Sequence, residues 1–437
     1  MNMKESSQTE DVGIPKTWGH GMRKVLVPSV VVGAAMLFAS SCTPPAVAPV
    51  PLTSTTVTAG NDTSGAATIS SNGNVVVFAS KATNLTAGTD ANGSLADVFA
   101  YDRSTGVTER LTNGNGASGA ENNSPAPSPF EDPSNVLTTH NAIDVSADGR
   151  YVAFTSRATD LTATATTPGL TNAYRYDRQT HTTELVAAPS GCPAWATIDN
   201  MFDQVAISTD GNVVATSRGC SGYDPDGVYS NLYYIRVQHV GGTAVDFPLP
   251  GTVAPSDFIY NFMMSGDASV VDIITYPSYQ WTRLTVATGS WSAPQTQVWP
   301  MSVSHDGRYL AVFDLNPSHT QLERIDTVTN HVDVISTTLW SGAVLSDSGQ
   351  YAAVQGSTSA TSASGAFVTT EQYGRWEVGA GIRPIATGER TYVSPPATWT
   401  GGTAWTAGTS VADDGSVAYA RRTAFATPSM QIAIATS

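Results

Sequence analysis

Along this chain short apolar runs alternate with tight polar turns, and the pair recurs seven times. The turns read Ser70-Ser-Asn-Gly73, Ser146-Ala-Asp-Gly149, Ser208-Thr-Asp-Gly211, Ser265-Gly-Asp-Ala268, Ser304-His-Asp-Gly307, Ser346-Asp-Ser-Gly349 and Ala412-Asp-Asp-Gly415. Each follows an apolar residue (Ile69, Val145, Ile207, Met264, Val303, Leu345, Val411), which predicts a buried strand ending there. A second strand is predicted after each turn, over 75–78, 151–154, 213–215, 270–271, 309–313, 351–354 and 417–419. Third and fourth strands follow in the first two units, at 98–102 and 108–111, then at 173–177 and 183–185.

Glycine supplies the positive φ that a tight hairpin needs, and Asp or Asn bonds the backbone nearby. Ala268 breaks that pattern and should strain its turn. Four strands in each of seven units predict an all-β, seven-bladed β-propeller of four-stranded antiparallel blades. The last unit has only three strands, ending with 431–435, while the Thr-rich segment 53–58 resembles a fourth. That N-terminal strand is expected to close the ring and remove an open edge, the alternative being a plain spacer.

The stretches 143–162 (Ile-Asp-Val-Ser-Ala-Asp-Gly-Arg-Tyr-Val-Ala-Phe and onward) and 97–106 (Asp-Val-Phe-Ala-Tyr-Asp-Arg-Ser-Thr-Gly) resemble TolB-like, WD-type propeller repeats of bacterial extracytoplasmic proteins. The resemblance is strong in the first two units, fair in the third and fifth, and weak elsewhere. It implies a binding or scaffolding platform more than an enzyme, because fold alone does not carry function.

Composition fits an exported β protein. Only 13% of residues are charged, against about 25% in an average chain. The net charge of −15 and the lack of a basic stripe argue against nucleic acid. Residues 1–42 read as a leader: Arg23-Lys24, an apolar stretch over 25–39, then Ser40-Ser41-Cys42. Met22 competes with Met1 as the start. Cys42 stands where a bacterial lipoprotein signal places its lipidated cysteine, although Ala39 occupies a position usually taken by Leu. Residues 43–52 read as a Pro-rich tether and 53–437 as the propeller. The expected location is extracytoplasmic and lipid-anchored at the membrane, the alternatives being a cleaved, secreted form and an uncleaved anchor. A monomer is expected. Of three cysteines, Cys192 and Cys220 then remain for a disulfide, the rival being two free thiols.

Loop lengths sort by face. Links from first to second and from third to fourth strand are short, whereas those from second to third strand and between blades are long. All the extended sequence therefore gathers on one face, where loops usually carry binding. Five to seven residues before the turns stand His140, Phe202, Tyr260, Trp299, Trp340 and Trp405, with Ser64 in the first unit. Such an aromatic mouth offers flat faces to sugars, headgroups or peptide side chains. The bland alternative is packing between blades. His140 with Asp144 is a candidate acid–base pair for a carbohydrate-active lyase or hydrolase at the mouth. Asp90, Asn92, Asp224 and Asp226 begin Asp-x-Asx-Gly loops that resemble a calcium loop without its full spacing, so turn-making is favoured and no other cofactor is expected. Gly-x-Ser-x-Gly, His-Glu-x-x-His and phosphate-loop motifs are absent from the sequence. The leading expectation is a platform that engages an envelope protein or glycan through the long-loop face.

Overall fold

The computed structural model describes residues 53–57, 60–62, 64–87, 95–113, 142–164, 166, 170–187, 192, 194, 196–199, 204–223, 225–227, 229–253, 257–296, 298–314, 321–337, 340–361, 367–385, 391–394, 409–422 and 430–436. These form seven antiparallel sheets arranged as a seven-bladed propeller, with no helix among the described residues. Ser64–Ile69, Ile143–Val145, Val205–Ile207, Phe258–Met264, Val298–Val303, Trp340–Leu345 and Thr409–Val411 are the inner strands. Each ends on the apolar residue that the turn pattern marked. In the last sheet Thr53–Thr56 runs antiparallel to Met430–Thr436, with Thr53 opposite Thr436.

The recurring turn has a side-chain logic beyond its glycine. Ser146 Oγ donates to Asp148 Oδ1 at 2.7 Å and accepts the Tyr151 amide at 2.9 Å, while Asp148 Oδ1 also takes the Arg150 amide. Ser208 with Asp210, Ser265 with Asp267 and Ser304 with Asp306 repeat the arrangement. The fourth residue is left-handed in all seven turns, and in the six that hold glycine φ runs from 67 at Gly349 to 77 at Gly149 and Gly415. Ala268 adopts φ 57, the strain expected of a side chain in that region.

Glycine also answers to the neighbouring blade. A Cβ on Gly349 would lie 2.6 Å from the Tyr309 ring, and one on Gly211 would lie 2.2 Å from the Tyr151 ring. An arginine of the third strand covers the same tyrosine. The Arg324 guanidinium lies 4.3 Å from the Tyr309 centroid, donates to the Gly349 carbonyl and pairs with Asp333. The core is divided accordingly: apolar clusters fill the junctions between neighbouring blades, such as Val77, Val152 and Tyr174 between the first two. Between blades 4 and 5 a buried ion pair takes part: fully buried Asp272 accepts Arg283 Nε and Nη2 and Trp281 Nε1, and Arg283 Nη1 reaches the Gly307 carbonyl.

The second and third residues of the turns link into a closed circle. Asn72 N donates to Ala147 O, Ala147 N to Thr209 O, Thr209 N to Gly266 O, Asp267 N to His305 O, and His305 N to Asp347 O. Ser348 N donates to Asp413 Oδ1 and Asp413 N to Ser71 O, completing the circuit. At a strand-like spacing of about 4.8 Å, seven such residues span on the order of 11 Å between opposite Cα atoms. Side chains then cross that space, Ser71 to Asp347 and Thr209 Oγ1 to His305 Nδ1 at 3.0 Å. These contacts narrow the central channel at the turn face.

Three departures from the sequence reading matter for function. The second strand of blade 3 runs Val213–Tyr223 instead of stopping at 215, and the matching strand of blade 6 runs Tyr351–Thr361. Their partners Tyr229–His239 and Phe367–Glu377 are equally long. Cys220 therefore lies inside a strand, where its disulfide with Cys192 (Cα–Cα 5.6 Å) ties on the segment leading to the additional strand Ala196–Asp199. Blade 4, whose later strands had no clear pattern, is complete with Trp281–Thr285 and Ser290–Trp291.

Candidate functional site

Blades 3 and 6 carry second strands of 11 residues, against 6 or 7 in blades 1, 2, 4 and 5. The surplus carries each hairpin roughly 17 Å further out on the loop face at about 3.4 Å per residue. Between them, blade 4 joins its second and third strands across 277–280 alone, and blade 5 across 315–320. Over blade 4 the loop face is thus a notch, lying between the taller hairpins of blades 3 and 6.

The floor of this notch is aromatic. Tyr260 and Trp299, which begin the inner strands of blades 4 and 5, meet edge to face at 6.0 Å between centroids. Tyr276 and Tyr279 from the short blade-4 loop complete the cluster, 5.1 Å apart, with Tyr279 5.3 Å from Trp299. Tyr276 and Tyr279 are 37% and 40% exposed, whereas Tyr260 and Trp299 are half-buried. Burial first, then the neighbouring Tyr279 and Tyr276, holds the Tyr260 phenol above the usual tyrosine range, and burial also raises Tyr279. The Tyr260 and Tyr279 hydroxyls therefore keep their protons at neutral pH, and each can donate and accept.

Buried polar groups fix the rings. Asp257, nearly inaccessible, accepts Thr275 Oγ1 and Ser278 Oγ at 2.8 Å each, pinning the loop between the two exposed tyrosines. The Gln204 amide clamps the Tyr260 strand, Nε2 donating to Tyr260 O and Oε1 accepting Phe262 N. Tyr279 sits at φ 49. A left-handed tyrosine is strained by about 1–3 kcal/mol and persists only where its surroundings impose it, a situation concentrated at binding sites.

Of the six mouth residues read from the sequence, the structure brings Tyr260 and Trp299 together. His140, Phe202 and Trp405 lie outside the described residues, and Trp340 is described as strand backbone only. Tyr276 and Tyr279 went unread because they sit after a second strand, where no turn motif points. The Tyr-Pro-Ser-Tyr sequence between two strands was the signal available.

The channel beneath the mouth holds a cavity of about 180 Å³, lined by inner strands of all seven blades. Asp144 lies on its wall, Oδ1 taking the Val145 amide at 2.9 Å and Oδ2 the Ile207 amide of blade 3 at 2.8 Å. Burial, opposed by those amides, pushes its carboxyl up to about 7. Burial also raises Asp347 of the turn circle. Asp226 is exposed at the tip of the blade-3 hairpin, while Asp90, Asn92 and Asp224 lie outside the described residues. Among the described residues no three His, Cys, Asp or Glu side chains group as metal ligands.

No family model and no curated protein matches the chain. Solved structures do match. An oligogalacturonate lyase in complex with manganese is similar at 11% identity and TM-score 0.50, over 88% of this chain and 92% of that one. The acylaminoacyl peptidase of Pyrococcus horikoshii is similar at 12% identity and TM-score 0.50, over 84% of this chain and 51% of that one. TolB from Acinetobacter baumannii matches at 12% identity and TM-score 0.32, over 77% of this chain and 57% of that one. At these identities the likeness to the lyase and the peptidase shows the β-propeller fold and leaves function to the site.

Proposed function

We propose that the protein is an extracytoplasmic binding platform, lipid-anchored through Cys42, that engages an envelope protein or glycan through its loop face. The observation carrying this reading is the patch of Tyr260, Tyr276, Tyr279 and Trp299, partly exposed yet held by buried polar contacts. Rigid aromatic rings give large contact area with little rotamer entropy to lose, which suits them to recognition. The turn face supports the same assignment, because its residues are already bonded to one another from blade to blade. Crosslinking in native envelopes tests it. The wild-type chain should give specific adducts, and Tyr279→Ala with Trp299→Ala should abolish them while the far-UV spectrum stays unchanged. Adducts that persist in the double variant would remove the patch from the binding surface.

A further inference from the structure

We infer that the aromatic notch takes an uncharged glycan, laid across blades 4 and 5, and discriminates against polyanionic chains such as uronans. This rests on the loop-face reading above and adds the chemistry of the ligand.

Charge gives the first argument. Residues 258–336, which make blades 4 and 5, contain three arginines and no lysine. All three are directed to the turn face: Arg283 to Asp272 and the Gly307 carbonyl, Arg308 to Asp326, and Arg324 to Asp333 and the Gly349 carbonyl. The walls add no free cation. Residues 356–372 include neither Lys nor Arg, and in 218–234 the only basic residue is Arg218, which is buried and has partners of its own. Asp314, at the loop-face end of the second strand of blade 5, and a net charge of −15 make the surroundings repulsive to a polyanion.

Size and chemistry give the second. The pairs formed by the four rings have centroids 5.1 to 6.4 Å apart, so the patch is one or two saccharide rings wide. A stable protein partner would need about 800 Å² on each side. Three phenol hydroxyls beside the aromatic faces match a ligand that is apolar on its ring face and hydroxylated at its rim. The long hairpins of blades 3 and 6 stand on either side, and the four-residue connection of blade 4 leaves the patch between them accessible from the loop face.

Calorimetry of the full chain with cellohexaose, mannohexaose, chitohexaose and hexagalacturonate at low salt tests the inference. At least one neutral hexasaccharide should bind, Tyr279→Ala and Tyr276→Ala should each weaken it about tenfold or more, and hexagalacturonate should bind at least tenfold more weakly. Tyr279→Phe should retain most of the affinity, separating ring stacking from the hydroxyl. Equal or tighter binding of hexagalacturonate overturns the charge argument. Absence of binding by all three neutral sugars overturns the glycan assignment. In that event, adducts in envelopes that still depend on Tyr279 and Trp299 would keep the platform reading with a protein as its partner, and their absence would remove both.

Discussion

The turn glycines offer a direct test of how neighbouring blades hold together, because two separate penalties can be measured apart. Gly106 and Gly349 are both left-handed, at φ 71 and φ 67. A Cβ on Gly106 meets nothing within 4 Å, whereas one on Gly349 falls 2.6 Å from Cδ2 of Tyr309 and 3.0 Å from its Cγ. Gly106→Ala should therefore cost only the left-handed term, about 1–2 kcal/mol, less about 0.4–1 kcal/mol from the stiffer unfolded chain. Gly349→Ala adds an overpacking cost of about 1–3 kcal/mol, because Tyr309 is held under the Arg324 guanidinium and cannot swing aside freely. The expected totals are about 1 kcal/mol for the first and about 2–4 kcal/mol for the second. Tyr309→Ala removes the ring and leaves only its Cβ, 3.1 Å from the new methyl. The double variant should then be more stable than the sum of the two singles by about 1–2 kcal/mol, a coupling large enough to resolve. Urea denaturation followed by tryptophan fluorescence reads these differences as shifts in midpoint at constant slope. Equal costs at Gly106 and Gly349, or additivity in the double variant, would refute the claim that close approach of the tyrosine fixes glycine in the turn.

Two further outcomes are expected. Burial raises Asp144 from 3.8 to about 7, so the folded state retains a proton that the unfolded chain releases; this stabilisation is full below about pH 4 and lost as pH rises to about 7, amounting to at most about 4 kcal/mol. The urea midpoint should fall over that window and the fall should shrink in Asp144→Asn; an equal fall in the variant would locate the proton elsewhere, Asp347 being raised in the same direction. Deleting residues 53–57 should unpair the edge of Met430–Thr436, lowering Tm by several degrees and increasing light scattering; unchanged Tm and scattering would show that closure does not depend on this strand.

Most of the architecture was legible because it is written in side chains of regular spacing. The apolar residue before each turn marks the end of an inner strand, and Ala268 in place of Gly marks the turn that pays in backbone strain. The long hairpins escaped for a physical reason. The run Arg218-Gly-Cys-Ser-Gly222 and the Ser/Thr-rich 356–361 lack the alternation of apolar and polar positions that betrays a strand buried on one face. Their pairing rests on backbone bonds, from Val213 opposite His239 to Tyr223 opposite Tyr229 in blade 3. The hydrogen-bonded circle was invisible for the same reason: most of its links join main-chain atoms, and its second positions hold Ser, Ala, Thr, Gly, His and Asp without a common chemistry. The site was half legible. Tyr260 and Trp299 could be counted back from the turns, but Tyr276 and Tyr279 depend on blade 4 having a four-residue connection where blades 1 and 2 have much longer ones.

The two faces of the ring therefore carry different obligations. On the turn face, Ser–Asp pairs such as Ser146 with Asp148 hold the turns, while the third-strand arginines and the circle of hydrogen bonds join blade to blade. Substitution there disturbs several contacts at once, so that face has little freedom to acquire a ligand. On the loop face, connections from second to third strand range from the four residues of 277–280 to the sixteen of 81–96, and the strands beneath them are already registered by the turn side. Lengthening or shortening one of these connections leaves the blade junctions intact. A shortened connection in blade 4 opens the notch, and extended hairpins in blades 3 and 6 wall it. The strained Tyr279 belongs to the one connection whose brevity creates the site, and Asp257 beneath it bears the cost of holding that shape. Recognition can thus be rebuilt by changing loop length over a frame whose stability is set on the opposite side.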